Sequence, residues 1–151
     1  MTEVLIIDAS PIHVGAIARR LRAEDCAEIR AVYGDPRKAI RYFFHGSALR
    51  RAAFIDGEIA ALWGCYGSFF TTEGHVWLVT TGEVEKLPLR FFHEVRREVR
   101  EMLLTRKVLR SHAAASYTKA LRFMAMVGFM IGAPEPLGKN GEMFCELRLE
   151  A

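Results

Sequence analysis

Two periods of apolar spacing alternate along this chain, and the switches between them mark its elements. Val4 to Ile7 is a short apolar run, expected as an added N-terminal strand or arm within residues 1–15. Ala16 to Arg22 alternates around Ile17 and Leu21, which predicts an edge strand with its arginines outward. Asp25 stands as an N-cap with Glu28 three residues on, the spacing of a capping box. The helix it predicts passes through Ile29, Val32 and Tyr33 and stops at Gly34. Asp35-Pro36 restarts a helix at once, because a proline at the first helical position gives up no needed N–H. Ile40, Phe43 and Phe44 give that helix an apolar side, and Gly46 ends it.

The middle of the chain is β. Ala52–Ile55 and Ile59–Tyr66 flank Asp56-Gly57, a two-residue hairpin signal. Gly67 to Gly74 reads as a turn and His75–Thr80 as a third strand of the same meander. From Pro88 the period becomes helical, with Leu89, Phe92, Val95, Val99, Met102 and Leu103 on one side. Val108–Ala114 is again a strand, Ser116 is placed to cap a helix from Tyr117 to Val127, and Gly128 stops it. Phe129–Gly132 and Met143–Leu149 close the chain as strands around a loop rich in Pro and Gly, Ala133 to Gly141. The order is β-α-α-β-β-β-α-β-α-β-β, an α+β (mixed α/β) chain with no internal repeat and no splitting linker. The helix between His75–Thr80 and Val108–Ala114 is a crossover, so those strands are expected parallel and the rest antiparallel.

Composition narrows the classes further. With 151 residues, 51% apolar and 26% charged, the chain suits one globular domain and excludes disordered or fibrous classes. No apolar run approaches the roughly 20 residues that span a bilayer. The first residues lack the basic and apolar regions of a secretory leader. Cys26, Cys65 and Cys145 are odd in number and far apart, the pattern of a reduced, cytoplasmic protein. The net charge is +3, and its excess lies in Arg96, Arg97, Arg100, Arg106, Lys107 and Arg110. Glu94, Glu98 and Glu101 interleave with these, so the stretch reads as a solvated helix face and not as a nucleic-acid stripe. The five histidines and three cysteines show no metal-ligand spacing, and no nucleophile elbow or P-loop is present. Cys26 near a helix start, and Phe123, Met124 and Met126, read first as packing residues.

The run from Ser116 to Phe129, a helix ending in Gly128-Phe129 and turning straight into a strand, resembles the GNAT superfamily of acyl-CoA-dependent N-acyltransferases. The likeness covers residues 16–151. More narrowly, Trp77-Leu78-Val79-Thr80, the loop Pro134-Glu135-Pro136-Leu137-Gly138 and Met143-Phe144 are similar to phage-encoded GNAT-like proteins. The resemblance implies a mixed six- to seven-stranded sheet, splayed between its fourth and fifth strands, with about four helices on its faces. It implies acetyl transfer from acetyl-CoA to a small-molecule or protein amine. The cofactor contacts it implies are Leu78, Val79 and Thr80 on the strand, Lys86 and Leu89 in a phosphate loop over 82–89, and Ser116.

The chain departs from the family pattern at named positions. Thr81 to Arg90 carries no glycine at the helix start, Pro88 lacks an N–H, and Glu83 and Glu85 bring negative charge. Met124 stands where many members have an acidic tyrosine, and Ser116 where they often have asparagine. Glu73, His75, His112 and Tyr117 remain as candidates for proton transfer. Leu87, Phe91 and Met124 are the side chains expected to plug the splay if it is closed. Two readings follow: an acetyltransferase, or an inactive module of phage origin that binds a virion or host protein. Neither reading includes a membrane or nucleic acid.

Overall fold

The computed structural model describes residues 2–67 and 71–151. Part of the turn expected over Gly67–Gly74 lies outside the described residues. Strand β1 (Val4–Asp8) leads into helices α1 (Pro11–Ala18), α2 (Ala23–Val32) and α3 (Pro36–His45). A meander follows, β2 (Ser47–Ile55), β3 (Glu58–Tyr66) and β4 (Glu73–Thr80), then a 3-10 turn at Gly82–Lys86. Helix α4 (Arg90–Leu103), β5 (Val108–Ala114), α5 (Thr118–Val127), β6 (Met130–Ile131), β7 (Glu135–Pro136) and β8 (Met143–Glu150) complete the chain. The eight strands form one sheet in the order β1-β2-β3-β4-β5-β8-β6, with β7 also on β8. Among the described residues only β4 and β5 run parallel, as the crossover through α4 requires.

Each face of the sheet buries its own core. On one side Ile17, Ile29, Ile40, Phe43 and Phe44 of the first three helices cover Leu62, Trp77 and Val79. On the other, Phe91, Val99 and Met102 of α4 cover Trp63, Val76 and Leu109. Alternation decides the sides: neighbours in one strand point oppositely, so Val76 and Trp77 serve different cores. The hairpin at Asp56-Gly57 has φ of 49° and 83°, the left-handed pair that a two-residue turn demands.

Three sequence expectations are corrected. The segment expected as an edge strand from Ala16 is the end of α1, which Ser10-Pro11 begins; the Ser10 N–H donates to His13 Nδ1 at 3.0 Å. Val14 and Ile17, three apart, face the core, and the strand character shrinks to a single bridge between Leu21 and Thr81. Asp25 does not cap α2, which starts at Ala23; its carboxylate is drawn instead to donors on β4. Helix α5 begins at Thr118 with Tyr117, not Ser116, in the capping position.

One buried relay ties α3 to the sheet. Trp77 Nε1–H donates to Ser47 Oγ at 2.8 Å, and the Ser47 hydroxyl donates to the Phe43 carbonyl at 2.7 Å. Ser47 is 5% exposed, so water cannot replace it. Ser47→Ala is expected to strand both groups and cost about 1–3 kcal/mol, read as a lower urea midpoint. An unchanged midpoint would refute the relay.

Candidate functional site

The parallel ladder between β4 and β5 holds only from Glu73↔Val108 to His75↔Arg110. Both strands continue, to Thr80 and Ala114, without pairing each other, so a slot opens between their C-terminal halves. Backbone alternation decides which groups face it. The Thr80 N–H points away from β3, and Leu78, two residues earlier, presents its N–H and C=O on the same edge.

Helix α2 crosses the mouth of this slot with Asp25 and Glu28, three apart and therefore on one side. Asp25 Oδ2 accepts the Thr80 N–H at 2.7 Å and the Thr80 hydroxyl at 2.5 Å. Burial nevertheless pushes the Asp25 carboxyl above its ordinary range, against the pull of those bonds and of Arg22. On the β5 side the Ala114 N–H favours the Glu28 anion, while Glu28 Oε1 is buried without a hydrogen-bond partner among the described residues. Burial lifts Glu28 to about 7, with the nearby Asp25 charge adding to the effect. Behind them, the Arg22 N–H donates to the Thr80 carbonyl at 3.0 Å. A carboxyl poised near neutrality thus sits at the slot, a group that the sequence had suggested only as a helix cap.

The remaining candidates separate by place. His75 starts the divergence, its ring stacked on Phe43 at 6.1 Å and 6.0 Å from His112 on β5. Burial, helped by His112, drops His75 to about 4, so its imidazole is neutral at physiological pH. Glu73 is engaged by Arg110 at 3.1 Å, and that guanidinium also holds Glu146 at 2.5 Å. Tyr117 lies beneath the Arg22 guanidinium at 5.9 Å. Burial and the carboxylates of α2 push its hydroxyl up to about 12, so it keeps its proton. His75, His112, Tyr117, Asp25 and Glu28 are therefore grouped around the slot, whereas Glu73 is committed to an ion pair.

Among the implied cofactor contacts, Leu78 is 44% exposed with its backbone on the slot edge, and Thr80 already serves Asp25. Val79 points into the core beneath the first three helices. Leu89 is 90% exposed just before α4, and Ser116 is exposed in the turn after β5. The three expected plug residues, Leu87, Phe91 and Met124, pack into the core on the α4 side.

The negative charge of the 82–89 segment is met from elsewhere in the chain. Glu83 pairs with Lys86 at 2.8 Å and with Arg20 at 3.4 Å, and Glu85 with Arg22 at 3.3 Å. The N–H groups of Phe91 and Phe92 bond back to Pro88 and Leu89, closing the first turn of α4 on itself. Among the described residues no cluster of His, Cys, Asp and Glu is arranged to hold a metal ion, and no helix is long and apolar enough to cross a membrane.

The sequence matches no protein-family model and no curated protein sequence. Its fold does match solved structures. The ribosomal-protein-S18-alanine N-acetyltransferase of Escherichia coli aligns with a TM-score of 0.70 at 14% identity, over 98% of this chain and 94% of that one. The acetyltransferase of GNAT family from Streptococcus pneumoniae aligns at 0.71 and 14% identity, over 99% and 100%. A ribosomal L7/L12 alpha-N-protein acetyltransferase in complex with coenzyme A aligns at 0.61 and 11% identity, over 97% and 93%. The chain has the GNAT fold.

A carboxyl raised from 4.5 to about 7 gives a definite pH signature. Between those values the unfolded chain releases the Glu28 proton while the folded chain retains it, so this site's stability contribution falls as pH rises and is lost above about 7. Glu28→Gln is expected to gain stability relative to the parent across that window, by about 1–3 kcal/mol at pH 8. Urea unfolding at several pH values measures the difference; a difference that stays constant with pH would mean that Glu28 titrates as an ordinary surface acid.

Proposed function

We propose that this protein is an N-acyltransferase that moves an acetyl group from acetyl-CoA to an amine, with the β4–β5 slot as its active site. The observation that carries the reading is the pairing of an unladdered strand edge at Leu78 with a near-neutral carboxyl, Glu28, at the same opening. The slot suits the donor's amide-bearing arm, because Leu78 offers one N–H and one C=O in the extended geometry an amide chain pairs with. On this reading Lys86 and Leu89, between β4 and α4, and Ser116, after β5, would contact the rest of the donor. When bound, acetyl-CoA supplies an acyl group activated as a thioester.

The protein's own part is proton management. An amine arrives as an ammonium ion, which is not nucleophilic until it loses a proton. Glu28 Oε1, buried and unpartnered, is the acceptor for that proton, and its raised pKa matches the working pH of such a base. Neutral His75 and protonated Tyr117 border the same opening as uncharged hydrogen-bonding groups that hold an amine without trapping it as a salt. The acceptor of the reading is a small-molecule or protein amine.

Asp25 favours a second reading. By occupying the Thr80 N–H and hydroxyl it closes one end of the slot, which suits the alternative of an inactive GNAT-fold module of phage origin that binds a protein partner without turnover.

Acetyl-CoA at 100 times its Kd is expected to add about 2.7 kcal/mol, a Tm rise on the order of 5–10 °C. In a thiol-release assay over a panel of amines, kcat is expected to climb with pH and level off near the Glu28 pKa. Glu28→Gln is expected to abolish that climb and lower kcat by about 10²-fold, leaving KM for acetyl-CoA unchanged. No thermal shift and no thiol release at millimolar donor would leave the binding-module reading in its place.

A further inference from the structure

A second concavity lies apart from the slot, on the outer side of α1 and α3. It has a volume of about 310 Å³ and is bordered by Ile12 and Gly15 of α1, Arg19 just beyond that helix, and Arg37, Arg41 and His45 of α3. A hollow of about 620 Å³ shares Arg41 and His45 with it and adds Lys38, Tyr42 and Tyr66. Among the described residues no acidic side chain lines either one.

The charge arrangement is unusual for this chain. Arg20, Arg51, Arg110 and Arg148 each hold a carboxylate; Arg20 and Arg110 hold two and Arg51 three. Arg37, Arg41 and His45 instead repeat every four residues, a spacing that stacks them on one stripe of α3. The like charges of Arg37 and Arg41 at that spacing work against a helix, and α3 carries no acid to relieve them. Helix α1 carries none either, and its Gly15 makes room for the stripe. A Cβ at position 15 would come within 3.2 Å of Arg37 Nη2. The guanidinium therefore lies close over α1 at a site where alanine would be the better helix former.

We propose that these joined hollows bind a phosphate-bearing small molecule of the nucleotide class. Guanidinium groups present paired N–H donors that match phosphate oxygens, and three of them with an imidazole neutralise a di- or triphosphate. The volumes, about 310 and 620 Å³, are those of small-ligand pockets. The adjoining hollow supplies aromatic surface for the base: the Tyr42 and Tyr66 rings lie 5.4 Å apart and their hydroxyls are bonded at 2.6 Å. Tyr42 is 61% exposed, leaving its ring open to stacking. The site stands independently of acetyl transfer, since none of its residues borders the slot.

Calorimetry on the whole chain tests the site with ATP, inorganic pyrophosphate, adenosine and a hexaglutamate peptide. ATP is expected to bind more tightly than pyrophosphate, and adenosine only weakly. Arg37→Ala and Arg41→Ala are each expected to weaken ATP and pyrophosphate about tenfold or more. Tyr42→Ala is expected to weaken ATP severalfold while leaving pyrophosphate unchanged, and Gly15→Ala to weaken both by displacing Arg37. These side chains are exposed, and far-ultraviolet circular dichroism confirms that each variant is folded. ATP held in the β4–β5 slot instead would keep its affinity in Arg37→Ala and Arg41→Ala, because neither arginine borders that slot. The proposal fails if neither ATP nor pyrophosphate binds at millimolar concentration, if the arginine variants bind as the parent does, or if hexaglutamate binds and ATP does not.

Discussion

The parallel contact between β4 and β5 ends after His75↔Arg110, and the functional half of the molecule is arranged around that ending. Parallel strands that separate within a sheet leave two inner edges whose N–H and C=O groups still require partners. At a free sheet margin water would supply them, but here α2 lies across the opening. The sheet must therefore complete its hydrogen bonding with side chains, with solvent inside the slot, or with an extended molecule that enters it. A splayed sheet is a structural liability that doubles as a binding site.

Helix α2 meets that requirement with acids, and this choice sets the electrostatics of the slot. A carboxylate is a strong acceptor for a backbone N–H, so Asp25 satisfies the Thr80 donor on one edge while the Ala114 N–H on the other favours the Glu28 anion. Two carboxyls held on one side of a helix and partly withdrawn from water cannot both ionise freely. Asp25 has two hydrogen bonds and the Arg22 charge to favour its anion. Glu28 has only the Ala114 N–H to favour its anion, so burial, with the Asp25 charge adding to it, raises its pKa to about 7. The poised group is a consequence of how the gap is bridged.

Local chemistry in the sequence anticipated the frame. Asp56-Gly57, Asp35-Pro36 and the apolar spacing after Pro88 each define an element through contacts a few residues apart, and all three elements are present. The parallel β4–β5 pair followed from the crossover alone. What stayed hidden depends on distant partners. Asp25 has the right spacing for a capping box with Glu28, yet its donors are on β4, 55 residues away. Glu83 and Glu85 look repellent to phosphate in isolation, but Arg20 and Arg22 reach them from 63 residues upstream. For α1 the signal was present, Ser10-Pro11 before Val14 and Ile17 at a three-residue step, and the alternation further on obscured it.

The two sides of the α1–α3 layer carry opposite chemistry, and their separation bears on how the molecule works. Toward the slot, α2 concentrates Asp25 and Glu28, with Arg22 and Tyr117 drawn close by. Toward the outside, α3 concentrates Arg37, Lys38, Arg41 and His45. Had the acids and bases faced one another they would have formed ion pairs, as Arg51 does with Glu98 and Glu101, and neither the near-neutral carboxyl nor the basic hollow would exist. Phe43 stands between the two regions, its ring 4.9 Å from Tyr33 and 6.1 Å from both His75 and Trp77. An aromatic wall of this kind keeps counter-charges from crossing, because an ion moved into it would lose its hydration without gaining a partner. The hydrophobic core under α3 is thus the insulation that lets one small layer of helices hold an acidic opening and a basic one together.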